Sequence, residues 1–282
     1  MSLNPFKSIG IGVAFSPNLK ANLFETARLS IFFNSKLYLI HVGEPSKDKI
    51  SMLKIILQDF EKDNLNYEVV FKSGHPVDVI LSTSEEKNID LLILGAVQRE
   101  RVVKYYVGSI ARKITRLAKC SILLLIKPSI KRVPCQHIVV NGLKDPKTES
   151  TITLAFYVAK QLNAQKITIV EEINTDEVAV KVDDNISLRR ATIIKERIKL
   201  RENSRIKEII SLIPEKYTQD ITIKLQPIFG KKGYSIGHYA QISRADLLVM
   251  NAPTKSSFWD RLFPHDIEHI LTELPTDVLI LQ

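Results

Sequence analysis

Short apolar runs alternate with longer stretches of helical periodicity along the whole chain. KSIGIGVAF (7–15), KLYLIHV (36–42), a run over 67–71, LLIL (91–94) and SILLLI (121–126) have the length of buried strands. Between them, Leu23, Phe24 and Ala27 set a core face for a helix over 19–34. Ile50, Leu53, Ile56, Leu57 and Phe60 make an apolar stripe over 47–64, and Gly74-His75-Pro76 opens a helix toward Asn88 with Val79 and Ile80 inward. Strands alternating with helices at this spacing imply parallel βαβ units wound right-handed into one sheet.

KPSIKRVPCQ (127–136) carries two prolines and three basic residues with neither periodicity, so it reads as a linker. The order of elements then repeats. Strands are expected over 138–141, 166–170, 221–228, 247–250 and 278–281, and helices over 148–162, 188–213, around 236–242 and over 265–274. NIDLLILG (88–95) matches RADLLVMN (244–251) residue for residue in pattern. The sequence therefore predicts one α/β fold duplicated, with domains at 1–129 and 130–282.

The stretch 89–119 carries the candidate chemistry. A strand ends at Gly95, a polar and basic loop follows, and Gly108-Ser109 opens a helix. Ile110, Ile114 and Leu117 share one face and are expected to pack, while Arg112, Arg116 and Lys119 share another and stay wet. Gly108 permits positive φ or close approach of a ligand, Ser109 reads as an N-cap, and such a helix start attracts anions.

On these residues the chain resembles the universal stress proteins. Their nucleotide-binding members carry Gly, two residues, Gly, nine residues, Gly, then Ser or Thr after the fourth strand. Gly95, Gly108 and Ser109 match, while Gln98 stands at the second glycine. The resemblance covers nearly the whole chain as a tandem protein, more strongly in the first half. It implies two doubly wound domains, each a five-stranded parallel sheet of order 3-2-1-4-5 (adenine nucleotide alpha hydrolase-like), packed through their last strands as an intramolecular pseudo-dimer.

It also implies an adenine nucleotide site, for ATP with or without Mg, in the crevice between strands one and four of the first domain. Backbone near Val42 would meet the base, and Gly95, Ala96, Val97, Gln98, Gly108 and Ser109 would cradle the phosphates, with Arg99, Arg101 or Lys104 adding charge. Ser16 stands where relatives have a nucleoside-contacting aspartate, and it lacks that group's charge and bidentate reach. In the second domain the motif positions hold Asn251, Thr254, Pro264 and His265, none of them glycine, so no phosphate cradle is expected there. The run 258–263 (FWDRLF) reads as a packed loop, an apolar lid or a partner surface.

Composition narrows the alternatives. The 282 residues are 45% hydrophobic and 25% charged, which suits two cored domains and argues against disorder. No apolar run approaches a bilayer span, and the start lacks a signal peptide's apolar core, so the expectation is a cytoplasmic protein. Cys120 and Cys135 sit in no CxxC or metal-ligand spacing and read as reduced thiols. The net charge of +9 is weighted to the first half; within 99–119 seven basic residues face one acidic. That excess suits a phosphate ligand, nucleic acid or an anionic membrane surface equally well, though no aromatic stacking platform accompanies it for nucleic acid. His265 and His269 are four apart, but HDIEH is not HExxH and no third ligand is named, so no metal is expected. No GxSxG, P-loop or Cys-His pairing appears, so the protein reads as a regulatory binder and not an enzyme, with weak ATP hydrolysis as a side effect at most. The other class is a nucleotide-free module acting through a protein partner such as a membrane transporter, with a homodimer also allowed.

Overall fold

The computed structural model describes residues 4–98, 105–230, 234–252, 270–271 and 273–282. It is a mixed α/β structure whose sheets are mostly parallel. Contacts divide the chain into two units, one of Met1–Pro134 with Leu271–Gln282 and one of Cys135–Ile270.

The first unit runs β1 (Ser8–Gly12), α1 (Leu19–Phe32), β2 (Lys36–Val42), α2 (Lys47–Leu57), β3 (Tyr67–Lys72), α3 (Pro76–Glu86), β4 (Leu91–Gly95), β5 (Val97–Gln98), β6 (Tyr105–Tyr106), α4 (Ser109–Leu117) and β7 (Ser121–Leu125). The main sheet has the expected order β3-β2-β1-β4-β7, all parallel. Ile9, Leu39, Leu92 and Ile93 are fully buried, because helices on both faces of a parallel sheet leave its centre no wet side. Each such side chain contributes about 1.5–3 kcal/mol of burial.

The second unit runs β8 (His137–Asn141), α5 (Thr148–Leu162), β9 (Lys166–Ile173), α6 (Asn185–Ser211), α7 (Glu215–Thr218), β10 (Thr222–Phe229), α8 (Tyr234–Ile242) and β11 (Leu247–Asn251). Its parallel strands are ordered β10-β9-β8-β11, again third, second, first, fourth. The final strand β12 (Asp277–Leu281) belongs by its contacts to the first unit, where it pairs antiparallel with β7, Val278 opposite Leu124. The Asp277 carboxylate accepts the Ile126 N–H at 2.8 Å and fixes that register.

The matching sequences at 88–95 and 244–251 make matching turns. Asn88 and Arg244 both have positive φ, 48° and 51°. Asp90 accepts the Ser8 N–H at 3.0 Å, and Asp246 accepts the His137 N–H at 2.9 Å. In each case a carboxylate after the turn holds the start of the neighbouring first strand.

Several local details differ from the sequence expectation. The helix expected over 47–64 tightens to 3-10 geometry at Gln58–Asp63 and stops at Asn64, whose φ is 55°. In α4 only Ile114 of the three expected core positions is buried; Ile110 and Leu117 are 47% and 54% exposed. Gly108, not Ser109, is the N-cap, and its φ of −61° and ψ of 162° suit any residue. Cys120 is half-buried, and that burial pushes its thiol up to about 11, away from reactivity.

Candidate functional site

In the first unit β1 pairs with β2 on one side and β4 on the other, so the chain winds away in both directions from the β1–β4 junction. Open α/β sheets form their ligand crevice at the carboxyl ends of such strands. Here a cleft of about 830 Å³ opens at that place, within the ordinary size range of small-molecule sites. Its walls come from the ends of β1, β2 and β4, the first turn of α4, and Lys49, Pro76 and Ile80.

One end of the cleft favours anions. Gly108, Ser109, Ile110 and Ala111 line it, so the N-terminal turn of α4 opens directly into it. The Gly108 cap supplies no side-chain hydrogen bond to that turn, and no acidic residue occupies it. An uncapped turn presents backbone N–H donors and about half a positive elementary charge. A full cation, Lys49, lies on the Phe15 side of the cleft: its Nζ donates to the Glu44 carbonyl at 3.0 Å and sits 5.9 Å from the Phe15 ring centroid. The side chain of Ser46 accepts the Lys49 N–H at 3.2 Å, which pins the start of α2 and with it this lysine.

The other end is apolar, with Val13, Ile40 and Val42 on its walls and Phe15 partly exposed at 37%. His41 meets Phe15 edge to face at 4.9 Å and Phe71 at 5.6 Å. Its Nδ1 lies 2.9 Å from the Val13 carbonyl oxygen. That oxygen can only accept, so Nδ1 carries the hydrogen, and Nε2 remains an acceptor in the neutral ring. The cleft thus combines a flat apolar surface, one ring-nitrogen acceptor, and an anion-favouring end.

Of the residues singled out from sequence, Val42, Gly95, Gly108 and Ser109 line the cleft. Ser16 lies in the exposed turn beyond Phe15, outside the cleft wall; its N–H donates to the Ala14 carbonyl at 2.9 Å and its own carbonyl accepts from Leu19 at 3.0 Å. The Ala96 N–H is committed to the Leu125 carbonyl at 2.7 Å. Val97 and Gln98 pair antiparallel with Tyr106 and Tyr105 as a two-stranded ribbon. Arg99, Arg101 and Lys104 lie outside the described residues, as do Thr254, the run 258–263, Pro264, His265 and His269.

A Cβ at Gly95 would meet nothing closer than Asn22 Oδ1 at 3.7 Å, an ordinary contact, so neither packing nor backbone strain demands glycine there. Sequence reasoning passed over Phe15, Lys49 and the Asn22 amide beside Gly95, because single side chains at strand and helix ends carry no periodic signal.

The corresponding place in the second unit has different chemistry. Strand register makes Asn141 opposite Val170 the counterpart of Gly12 opposite Ile40, so Glu171 and Glu172 occupy the positions of His41 and Val42. Both glutamates are buried. Arg205 of α6 donates to Glu171 Oε1 at 3.0 Å, to Glu202 Oε2 at 2.8 Å and to the Gly142 carbonyl at 2.6 Å. Glu172 accepts the Ile236 N–H at 2.7 Å in the first turn of α8. Desolvation raises the Glu171 carboxyl to about 7 against the pull of Arg205. A Cβ at Gly142 would lie 2.7 Å from Ile169 Cγ2, so any larger residue there requires that packed side chain to shift. Among the described residues no group of three or more His, Cys, Asp or Glu could hold a metal ion.

Residues 5–125 match the model of the universal stress protein family. A universal stress protein from Methanothermobacter thermautotrophicus is 31% identical over 77 residues, 25% of this chain and 52% of the relative, so the match spans about half of that protein's length. A universal stress protein from Archaeoglobus fulgidus aligns over 98% of both chains with a TM-score of 0.69 at 15% identity. A functionally unknown protein from Pseudomonas aeruginosa aligns over 98% of this chain and 92% of its own, with a TM-score of 0.73 at 16% identity. At such identities the two structures speak to the fold.

Proposed function

We propose, from the premise that the chain belongs to the universal stress protein family through residues 5–125, that its first unit is a reversible adenine nucleotide sensor taking ATP. The observation that carries this reading is the two-ended cleft. Its apolar end, with Phe15 and the His41 acceptor, suits a purine, while the uncapped start of α4 suits phosphates; Lys49 beside Phe15 adds positive charge to the cleft. Backbone N–H groups at Ser109, Ile110 and Ala111 take the phosphate oxygens, and Gly95 leaves room for the ligand beside Asn22. Among the described residues of the cleft no nucleophile is paired with a base, and the role in this reading is regulatory, a cytoplasmic response to nucleotide level during stress.

The committed Ala96 N–H and the ribbon at Val97–Gln98 favour a second reading, in which the pocket is vestigial and the protein works without nucleotide through a protein partner such as a membrane transporter. Calorimetric titration with ATP, with and without Mg²⁺, separates the two. Micromolar binding, about −8 kcal/mol, that disappears in Gly108→Asp is expected, because the carboxylate occupies the phosphate position. No heat at millimolar ATP and an unshifted melting temperature would establish the nucleotide-free reading.

A further inference from the structure

The 27-residue helix α6 shows two unlike faces. Ala191, Ile198, Glu202 and Ile206 are buried. On the opposite side Ile186, Ile193 and Leu200 recur at seven-residue intervals and are 71%, 53% and 65% exposed. Positions seven apart drift only about 20° around a helix, so the three form one stripe about 21 Å long. Arg190, Arg197 and Arg201 run along one flank of the stripe, and Arg189 and Lys207 along the other. The helix carries eight Lys and Arg against three Glu. Local pairs use part of that charge: Lys199 with Glu196 at 2.7 Å, and Arg201 with Glu177 at 3.3 Å and Glu202 at 2.7 Å. Arg205 points inward to Glu171.

The pattern selects among partners. A coiled coil or a helix seated in a protein groove uses two apolar positions per heptad, and here the position four residues after each stripe residue holds Arg190, Arg197 and Ser204, none of them apolar. A second copy would set those arginines against their equals. A bilayer surface with anionic headgroups needs only a single apolar stripe with basic flanks, since the apolar side chains enter the acyl boundary while arginines reach back to the phosphates. We propose that α6 is a docking surface for anionic phospholipid membranes, lying flat with Ile186, Ile193 and Leu200 toward the lipid. This is attachment, not spanning: among the described residues no helix is long and apolar enough to cross a membrane.

The test is co-sedimentation of the full chain with phosphatidylcholine vesicles, with and without phosphatidylglycerol, at low and raised salt. Binding should require phosphatidylglycerol and weaken as salt screens it. Arg190→Gln with Arg197→Gln should lower it about 25-fold, roughly fivefold for each basic residue lost. Ile193→Ser with Leu200→Ser keeps the net charge and should lower it about tenfold by removing inserted apolar surface; circular dichroism of these exposed-site variants verifies the fold. Serine-variant binding equal to wild type would overturn the proposal, since a diffusely basic protein would then explain the adsorption. Absence of binding at low salt, or a concentration-dependent dimer that the serine variant abolishes, would overturn it too, the latter assigning the stripe to a second copy.

Discussion

His41 and Val42 end the second strand of one unit, Glu171 and Glu172 the second strand of the other, at the same register. Around the first pair the chain leaves a cleft with an uncapped helix start and a lysine. Around the second it supplies its own counter-charge, Arg205, and an internal donor, the Ile236 N–H. One scaffold thus carries an open cleft and a buried carboxylate cluster closed on an internal arginine, with Glu171 Oε2 left unpartnered, and a few side chains at strand ends decide which. This is how a fold shared across a family leaves function to be settled by the site.

The comparison can be broken most severely at Arg205. Arg205→Met leaves Glu171 buried without its cation and Glu202 with Arg201 alone, and should cost about 3–5 kcal/mol in urea unfolding, whereas converting Glu171, Glu202 and Arg205 together to apolar residues should recover most of it. Next comes pH. The folded-state carboxyl of Glu171 is raised to about 7 from its ordinary 4.5, so the stability it contributes is complete below 4.5 and lost as pH rises to about 7. Unfolding between those limits should show a loss of about 3 kcal/mol that Glu171→Gln removes.

In the first unit, His41→Glu imports the other unit's carboxylate without its arginine. ATP affinity should fall at least about tenfold, near 1.4 kcal/mol, read by calorimetry. The smallest effect on the fold is expected from Gly95→Ala, which meets only Asn22 at 3.7 Å. Stability should move by no more than about 0.5 kcal/mol while ATP binding weakens several-fold. Equal ATP binding by this variant and the wild type would contradict the role given to Gly95 of leaving room for the ligand.

The span of α5 was legible because it follows from periodicity and punctuation repeated over many residues, whereas the strand order came from the family resemblance and not from the residue pattern. The strand expected over 166–170 stops where Glu171 begins, yet β9 continues to Ile173. The partner that makes a buried glutamate tolerable lies 34 residues away, so no local pattern announces it. The exposure of Ile110 and Leu117 escaped for a similar reason: a helical period defines a face but not whether anything covers it. In the cleft, the glycine spacing pointed to Gly95 and Gly108. The ribbon at Val97–Gln98 and the contributions of Phe15, Lys49 and Asn22 needed the chain to be folded before they could be seen.

The central claim is that one unit binds nucleotide and the other does not. Equilibrium dialysis of the full chain against labelled ATP counts sites directly. The account predicts one ATP per chain at saturation and none for Gly108→Asp; two per chain, or one that survives Gly108→Asp, would contradict it.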